Sequence, residues 1–535
     1  MSRSFLLRSA PASLLALAIA CGGGEPQPVA PVPTVPPPTT AAPQASAEPP
    51  PVHRDTPDAP FRAEAPPGGP AVTFVPPKIE TFSLKNGIPV YLVERHDLPV
   101  ASVRLVVRAG AGEGERPALF ATLGAMLEQG TKDKDALQIS DAYEALGAQH
   151  GAWFDWDAGG AYVKLLVKDL QAGLRLVADE WLAPTFPEAE LDRVRTRRLT
   201  SLAQEKMSPG AMAQNALAAS LFGRKHPYGN NLFGREADVK AVTRDELVKL
   251  HKSRSATGRL AIVVAGDTTR AGLTPMLEST FGGLPKAEKQ IVAAKPPQAP
   301  SPVNGRLVFV HLRGATQSNV LVAGAGTDAA YKDRDALAVM NSIFGGAFAS
   351  RINMNLREKH AYTYGARSRF SMRRGAGPFT VGGAIVAEHT GEAITEIMNE
   401  LDSMVKTDVT VDELALAKEN IRLGMPGRFE TVADVTSAVT DIPAYGLPLD
   451  EFTTRSARID AVGAKDVRRV ASAFLVKEKL RVIVVGDRDK VLPQLQKLGL
   501  GEPLELDAYG DPAPKTPVAA GPAPAAPPKT PAPKK

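Results

Sequence analysis

Eight histidines and one cysteine are the side chains of this sequence best suited to hold a transition metal. The histidines are His53, His96, His150, His226, His251, His311, His360 and His389, and no two stand three or four residues apart. No helix therefore presents the histidine pair of a helical zinc site. The lone cysteine, Cys21, excludes disulfides within the chain and zinc sites built from cysteine. A self-sufficient zinc hydrolase would have to gather its ligands from scattered positions. One stretch sharpens the question. "ALFATLGAMLEQGT" at 118–131 has the rhythm of an amphipathic helix, with Leu119, Phe120, Leu123, Met126 and Leu127 at three- and four-residue steps. Its other face holds Ala121, Gly124 and Ala125, which can neither ligate a metal nor move a proton. Small residues there also let a neighbouring element pack closely.

Weaker candidates lie around it. Trp153 and Trp156 in "GAWFDWDAGG" could line a peptide groove by strand addition, although core or cover packing is the favoured reading of them. The "RTRR" run at 195–198 reads as a solvated helix face. The chain of 535 residues carries a net charge of only +5, with its basic residues spread, which argues against a nucleic-acid partner.

The elements that must position these residues begin with an export signal. Arg3 and Arg8 precede the apolar run "LLALAIA" at 14–20, which is too short to span a membrane. Residues 1–20 thus read as a signal peptide. A cysteine directly after "AIA" resembles the lipobox of bacterial lipoproteins, which implies lipidation of Cys21; Gly22 behind it implies an outer-membrane anchor facing the periplasm. The alternative is an ordinary signal peptide with a cysteine there by chance. From Gly22 to Pro77, 18 of 56 residues are proline, so 21–77 is expected to be an extended tether. The tail 511–535, with 9 prolines in 25 residues, is expected to be disordered.

Between them lies an internal repeat. "RLAIVVAGDTT" (259–269) returns as "LRVIVVGDRDK" (480–490), "AVTRDELVKL" (241–250) as "AVGAKDVRRV" (461–470), "HPYGNNL" (226–232) as "PAYGLPL" (443–449), and "RAGAG" (108–112) as "VAGAG" (322–326). Two copies of one domain are expected, 78–292 and 306–510, joined by a Pro-rich seam at 293–305. Strand-like and helix-like stretches mix within each copy, which makes the fold class α+β.

The order of these elements resembles the insulinase/pitrilysin (M16) family of zinc metallopeptidases, in its form with two homologous domains per chain. The residues that carry the resemblance are "NGIPVYLVERHDLPVASVRLVVRAG", "MLEQGT", "LAPTFPEAELDRVR" and "NLREKHAYTYG". It implies two mostly antiparallel sheets packed with helices, forming half of a clamshell dimer. Active members carry H-x-x-E-H just before the "MLEQGT" position, with two zinc-binding histidines and a glutamate base. Here those positions are Ala121, Gly124 and Ala125, and Thr200 and Ser201 stand where the third ligand is expected. The resemblance therefore implies a vacated zinc site and a chain inactive by itself. The second domain of such chains offers an arginine and a tyrosine seven residues apart, which match Arg357 and Tyr364; "FGGAFASRI" (344–352) matches the glycine-rich turn before them, with Gly345 and Gly346 open to a bound chain. By resemblance, this is the non-zinc subunit of a heterodimeric peptidase. Zinc would sit in a partner carrying H-x-x-E-H, and peptides or unfolded segments would be the substrates. The competing reading is a non-catalytic structural or peptide-binding homologue.

Overall fold

The computed structural model describes residues 74–114, 116–291, 296 and 305–514. The signal peptide, Cys21, nearly all of the tether, most of the seam and the tail beyond 514 lie outside the described residues. No helix among the described residues is long and apolar enough to cross a membrane.

Alternating apolar residues build two sheets, one from each repeat. The first contains β1 (Glu80–Ser83), β2 (Pro89–Glu94), β3 (Val100–Val107), β4 (Gln149–Phe154), β5 (Gly159–Leu166) and β6 (Leu260–Gly266). The second contains β7 (Leu307–His311), β8 (Gln317–Ala325), β9 (Ala366–Phe370), β10 (Pro378–Val386), β11 (Arg481–Gly486) and β12 (Leu504–Leu506). Their orders are β1-β2-β6-β3-β5-β4 and β12-β7-β11-β8-β10-β9. Pairing is antiparallel except where β2 meets β6, and where β7 meets β11 and β12. The repeated "AIVVAG" and "VIVVG" segments are β6 and β11, third in each order and buried along their whole length. A strand covered on both faces has to be apolar throughout, which is why these two segments do not alternate.

The helices that matter for the site are α1 (Pro117–Leu127), α2 (Leu170–Leu182), α3 (Glu188–Glu205), α4 (Pro209–Phe222), α5 (Val411–Gly424) and α6 (Val432–Tyr445). One face of the first sheet shares a core with its own helices: Leu105, Val107 and Ile262 cluster with Leu123 and Leu127 of α1 and Leu174 and Trp181 of α2. The other face is covered from the opposite repeat. Val435, Val439 and Ile442 of α6 pack on Val106, Ala261 and Val263. The exchange is reciprocal, since Met212, Leu217 and Leu221 of α4 pack on Val308, Ala323, Ile483 and Val485 of the second sheet. Both exchanged helices start cleanly: Ser208 caps α4 with Pro209 following it, and Thr431 and Asp434 form a capping box on α6.

The chain then returns to the first repeat. Tyr509 Oη donates to Glu236 at 2.8 Å, and Asp511 pairs with Arg224 at 2.9 Å and Arg235 at 3.0 Å. Asp511, assigned to the tail by its proline-rich neighbours, is held in place because two arginines converge on its carboxylate.

Candidate functional site

Helix α1 opens with Pro117 at its first position, where no amide hydrogen is needed, and buries Phe120, Leu123, Met126 and Leu127. Its small face lies toward β4. A Cβ built on Gly124 would stand 3.0 Å from the Phe154 amide nitrogen and 3.1 Å from the Trp153 carbonyl carbon. Glycine is therefore needed for the helix to sit this close to the strand. Ala121 and Ala125 flank it, half-buried. On α3, the hydroxyls of Thr200 and Ser201 are turned onto their own helix, donating to the carbonyls of Thr196 at 3.1 Å and Arg197 at 3.2 Å. The zinc implied by the fold does not fit here, because no nitrogen or carboxylate stands at these positions. Trp153 on the edge strand β4 is half-buried beside Arg104, whose guanidinium lies 5.3 Å from its ring centre. The "RTRR" run behaves as a salt-bridged helix face, with Arg195 paired to Asp192 and Arg198 to Glu205.

In the second repeat the chain winds through a π-helical turn, Met354–Lys359, which carries Arg357. The Arg357 guanidinium lies 4.7 Å from the ring centre of Phe348, which is itself exposed. Beyond the turn Ala361 takes a left-handed conformation, φ 54°, unusual for a residue with a side chain. The two tyrosines that follow part company. Tyr362 stacks between His360 and His389, with ring centres 4.9 and 4.7 Å away. Tyr364 is 92% exposed. The loop is pinned between them by Thr363, whose hydroxyl donates to the Ala384 carbonyl at 2.6 Å.

The glycine pair divides in the same way. Gly345 is buried, and a Cβ on it would meet the Ser368 amide nitrogen at 2.7 Å, so its close approach is to β9 of the chain itself. Gly346 is exposed and lines an open groove of about 670 Å³ with Ala347, Phe348, Phe370, Met372 and Leu416.

Two clusters went unnoticed in the sequence. Where the β4–β5 turn meets the β9–β10 turn, Arg373 stacks on Trp156 and Tyr228, 4.5 and 4.4 Å from their ring centres. Arg374 donates to the carbonyls of Asp157 at 3.1 Å and Ala444 at 2.6 Å. Burial, opposed by Arg374, pushes the Asp157 carboxyl up to about 6. The second cluster is Glu128, His150 and Glu180, below α1. Burial, with Glu128 adding to it, pushes the Glu180 carboxyl up to about 8. The signal for it was readable: Glu180 interrupts the apolar helical face Leu174, Val177, Trp181.

Comparisons with known proteins agree with this geometry. Residues 241–421 match the family model described as the peptidase M16 inactive domain. A protein of Mycobacterium tuberculosis named as an uncharacterized zinc protease is 26% identical over 336 residues, 61% of this chain and 75% of that one. One of Bacillus subtilis with a similar name is 22% identical over 64% of this chain and 83% of its own length. The crystal structure of a peptidase M16 inactive domain from Pseudomonas fluorescens superposes with a TM-score of 0.70 at 26% identity, covering 76% of this chain and 98% of that one. A Helicobacter pylori protease shares the fold, with a TM-score of 0.71 at 19% identity over 77% of this chain and all of that one. Residues 241–421 thus match the M16 inactive domain, and the duplicated α+β halves are similar in fold to the M16 structures, while no H-x-x-E-H stands anywhere in the sequence.

Proposed function

We propose that this chain is the non-zinc subunit of a heterodimeric M16-type metallopeptidase, contributing Arg357 and Tyr364 to peptide hydrolysis. The supporting observation is a contrast between the halves. Every position where the family keeps zinc chemistry holds an inert side chain, while the Tyr364 hydroxyl stands almost wholly in solvent with the Arg357 guanidinium on the turn before it. Zinc, held by a partner with H-x-x-E-H, would activate the attacking water. Arg357 would orient the substrate through its planar fork of donors, and Tyr364 would donate to the carbonyl oxygen as it gains charge. The turn through Gly345 and Gly346 would border the bound peptide. In this reading the two subunits close as a clamshell around peptides or unfolded segments, and lipidated Cys21 holds the assembly at the outer membrane, facing the periplasm.

The test is peptide cleavage by the complex purified from native membranes with this chain as bait. Cleavage should be abolished by a chelator and should fall by ~10²-fold in kcat/KM on Tyr364→Phe. A complex that cuts nothing, or cuts equally well without that hydroxyl, would leave a non-catalytic structural or peptide-binding homologue.

A further inference from the structure

Glu128, His150 and Glu180 come from the end of α1, from β4 and from α2. One ligand atom from each lies within 4.8 Å of the other two, a grouping found nowhere else among the described residues. Glu180 is 1% exposed, and its carboxylate faces the Tyr143 hydroxyl, a contact short of good hydrogen-bond geometry and the one side-chain donor it meets. His150 Nδ1 is also buried. It stands 2.9 Å from Glu128 Oε1 yet is not in line for a hydrogen bond with it. The Tyr143 ring stacks on His150 at 3.7 Å, and its buried hydroxyl, turned to the same Glu180 carboxylate, is not well aligned with it. Buried polar atoms are nearly always satisfied, so several unmet ones in one place call for a missing group.

We propose that Glu128, His150 and Glu180 bind a structural divalent transition-metal ion of the zinc type, which ties α1, β4 and α2 together. The charges balance: two carboxylates and a neutral imidazole around a divalent ion leave a site with no net charge, which can be buried. Distances suit it too. A tetrahedral site on bonds of about 2.0–2.1 Å has edges of roughly 3.3 Å, between the 2.9 Å contact and the 4.8 Å limit of the cluster. Mixed nitrogen and carboxylate donors favour zinc or its first-row neighbours over calcium and magnesium, which take oxygen ligands. Glu128 and His150 keep about a quarter of their side-chain surface exposed, a route for entry of the ion and for a fourth ligand. None of the three is a position of the vacated motif, and the assignment does not depend on the peptidase reading.

Zinc chloride titrated into the metal-stripped full-length protein tests this by calorimetry, by thermal melting and by cobalt absorption. One equivalent should bind and raise the melting temperature. Glu180→Gln and Glu128→Gln, which keep shape and remove charge, should each weaken binding by at least ~10²-fold, beyond what loss of an outer-shell partner costs. If Glu180→Gln does not fold, Glu128→Gln and His150→Gln carry the test. The proposal is overturned if the wild type binds no zinc saturably, or if these variants bind it equally well. It is also overturned if Glu180→Gln stabilises the protein while zinc leaves the wild-type melting temperature unmoved; a protonated carboxyl would then fill the site.

Discussion

Asp157 and Gly345 show how much a single residue of this chain can hold. Asp157 is buried with its carboxyl raised from an ordinary value near 4 to about 6, burial being the main cause. It binds its proton more tightly folded than unfolded. Its contribution to stability is therefore fully present below about pH 4 and is lost as the pH rises through about 6. Denaturant melts from pH 4 to 7 should show wild-type stability falling relative to Asp157→Asn by on the order of 2 kcal/mol; parallel curves would mean the carboxyl is not perturbed. Gly345→Ala would drive a methyl into the Ser368 backbone and should cost about 1–3 kcal/mol, read as a lower denaturation midpoint. What could be read at this scale was mainly absence: the histidine inventory and the bare Ala121–Gly124–Ala125 face follow from residue types. The Asp157–Arg374 contact and the Glu128–His150–Glu180 cluster could not be paired from sequence. Their members are far apart along the chain and meet only through strand pairing and helix docking.

Among the elements, α1 shows why the zinc motif cannot simply be written back. Gly124→Glu, with histidines at 121 and 125, would press a Cβ to within 3.0 Å of the β4 backbone, which would have to give way, and α3 would still supply no third ligand. That triple variant should melt below the wild type and gain no zinc affinity at the motif, as calorimetry on a Glu128→Gln background would report. Helix α6 offers a cleaner packing test. Ile442→Ala removes buried apolar volume between α6 and the first sheet and should cost about 2–5 kcal/mol in chemical denaturation; a loss under 1 kcal/mol would mean the helix is only lightly seated. The repeat and its strands were legible because β6 and β11 keep the same apolar string. Which sheet a helix covers was not, since an apolar stripe shows that a face is buried but not against what.

Over the whole molecule, neither repeat closes its own core. Each sheet has one face finished by a helix from the other, α6 over the first and α4 over the second, and the chain around Asp511 adds a further tie. Thermal unfolding should accordingly be one transition, with calorimetric and van't Hoff enthalpies that agree; two resolved transitions would show that the halves stand apart. The exchange also bears on what covalent continuity is for. If a protease site is introduced between residues 293 and 304 and cleaved, the two fragments should stay together through gel filtration. Expressed one at a time, each would expose the apolar sheet face that its missing counterpart normally shields. Backbone connection would then serve to bring the pieces to each other at high effective concentration, while interlocking alone keeps them joined.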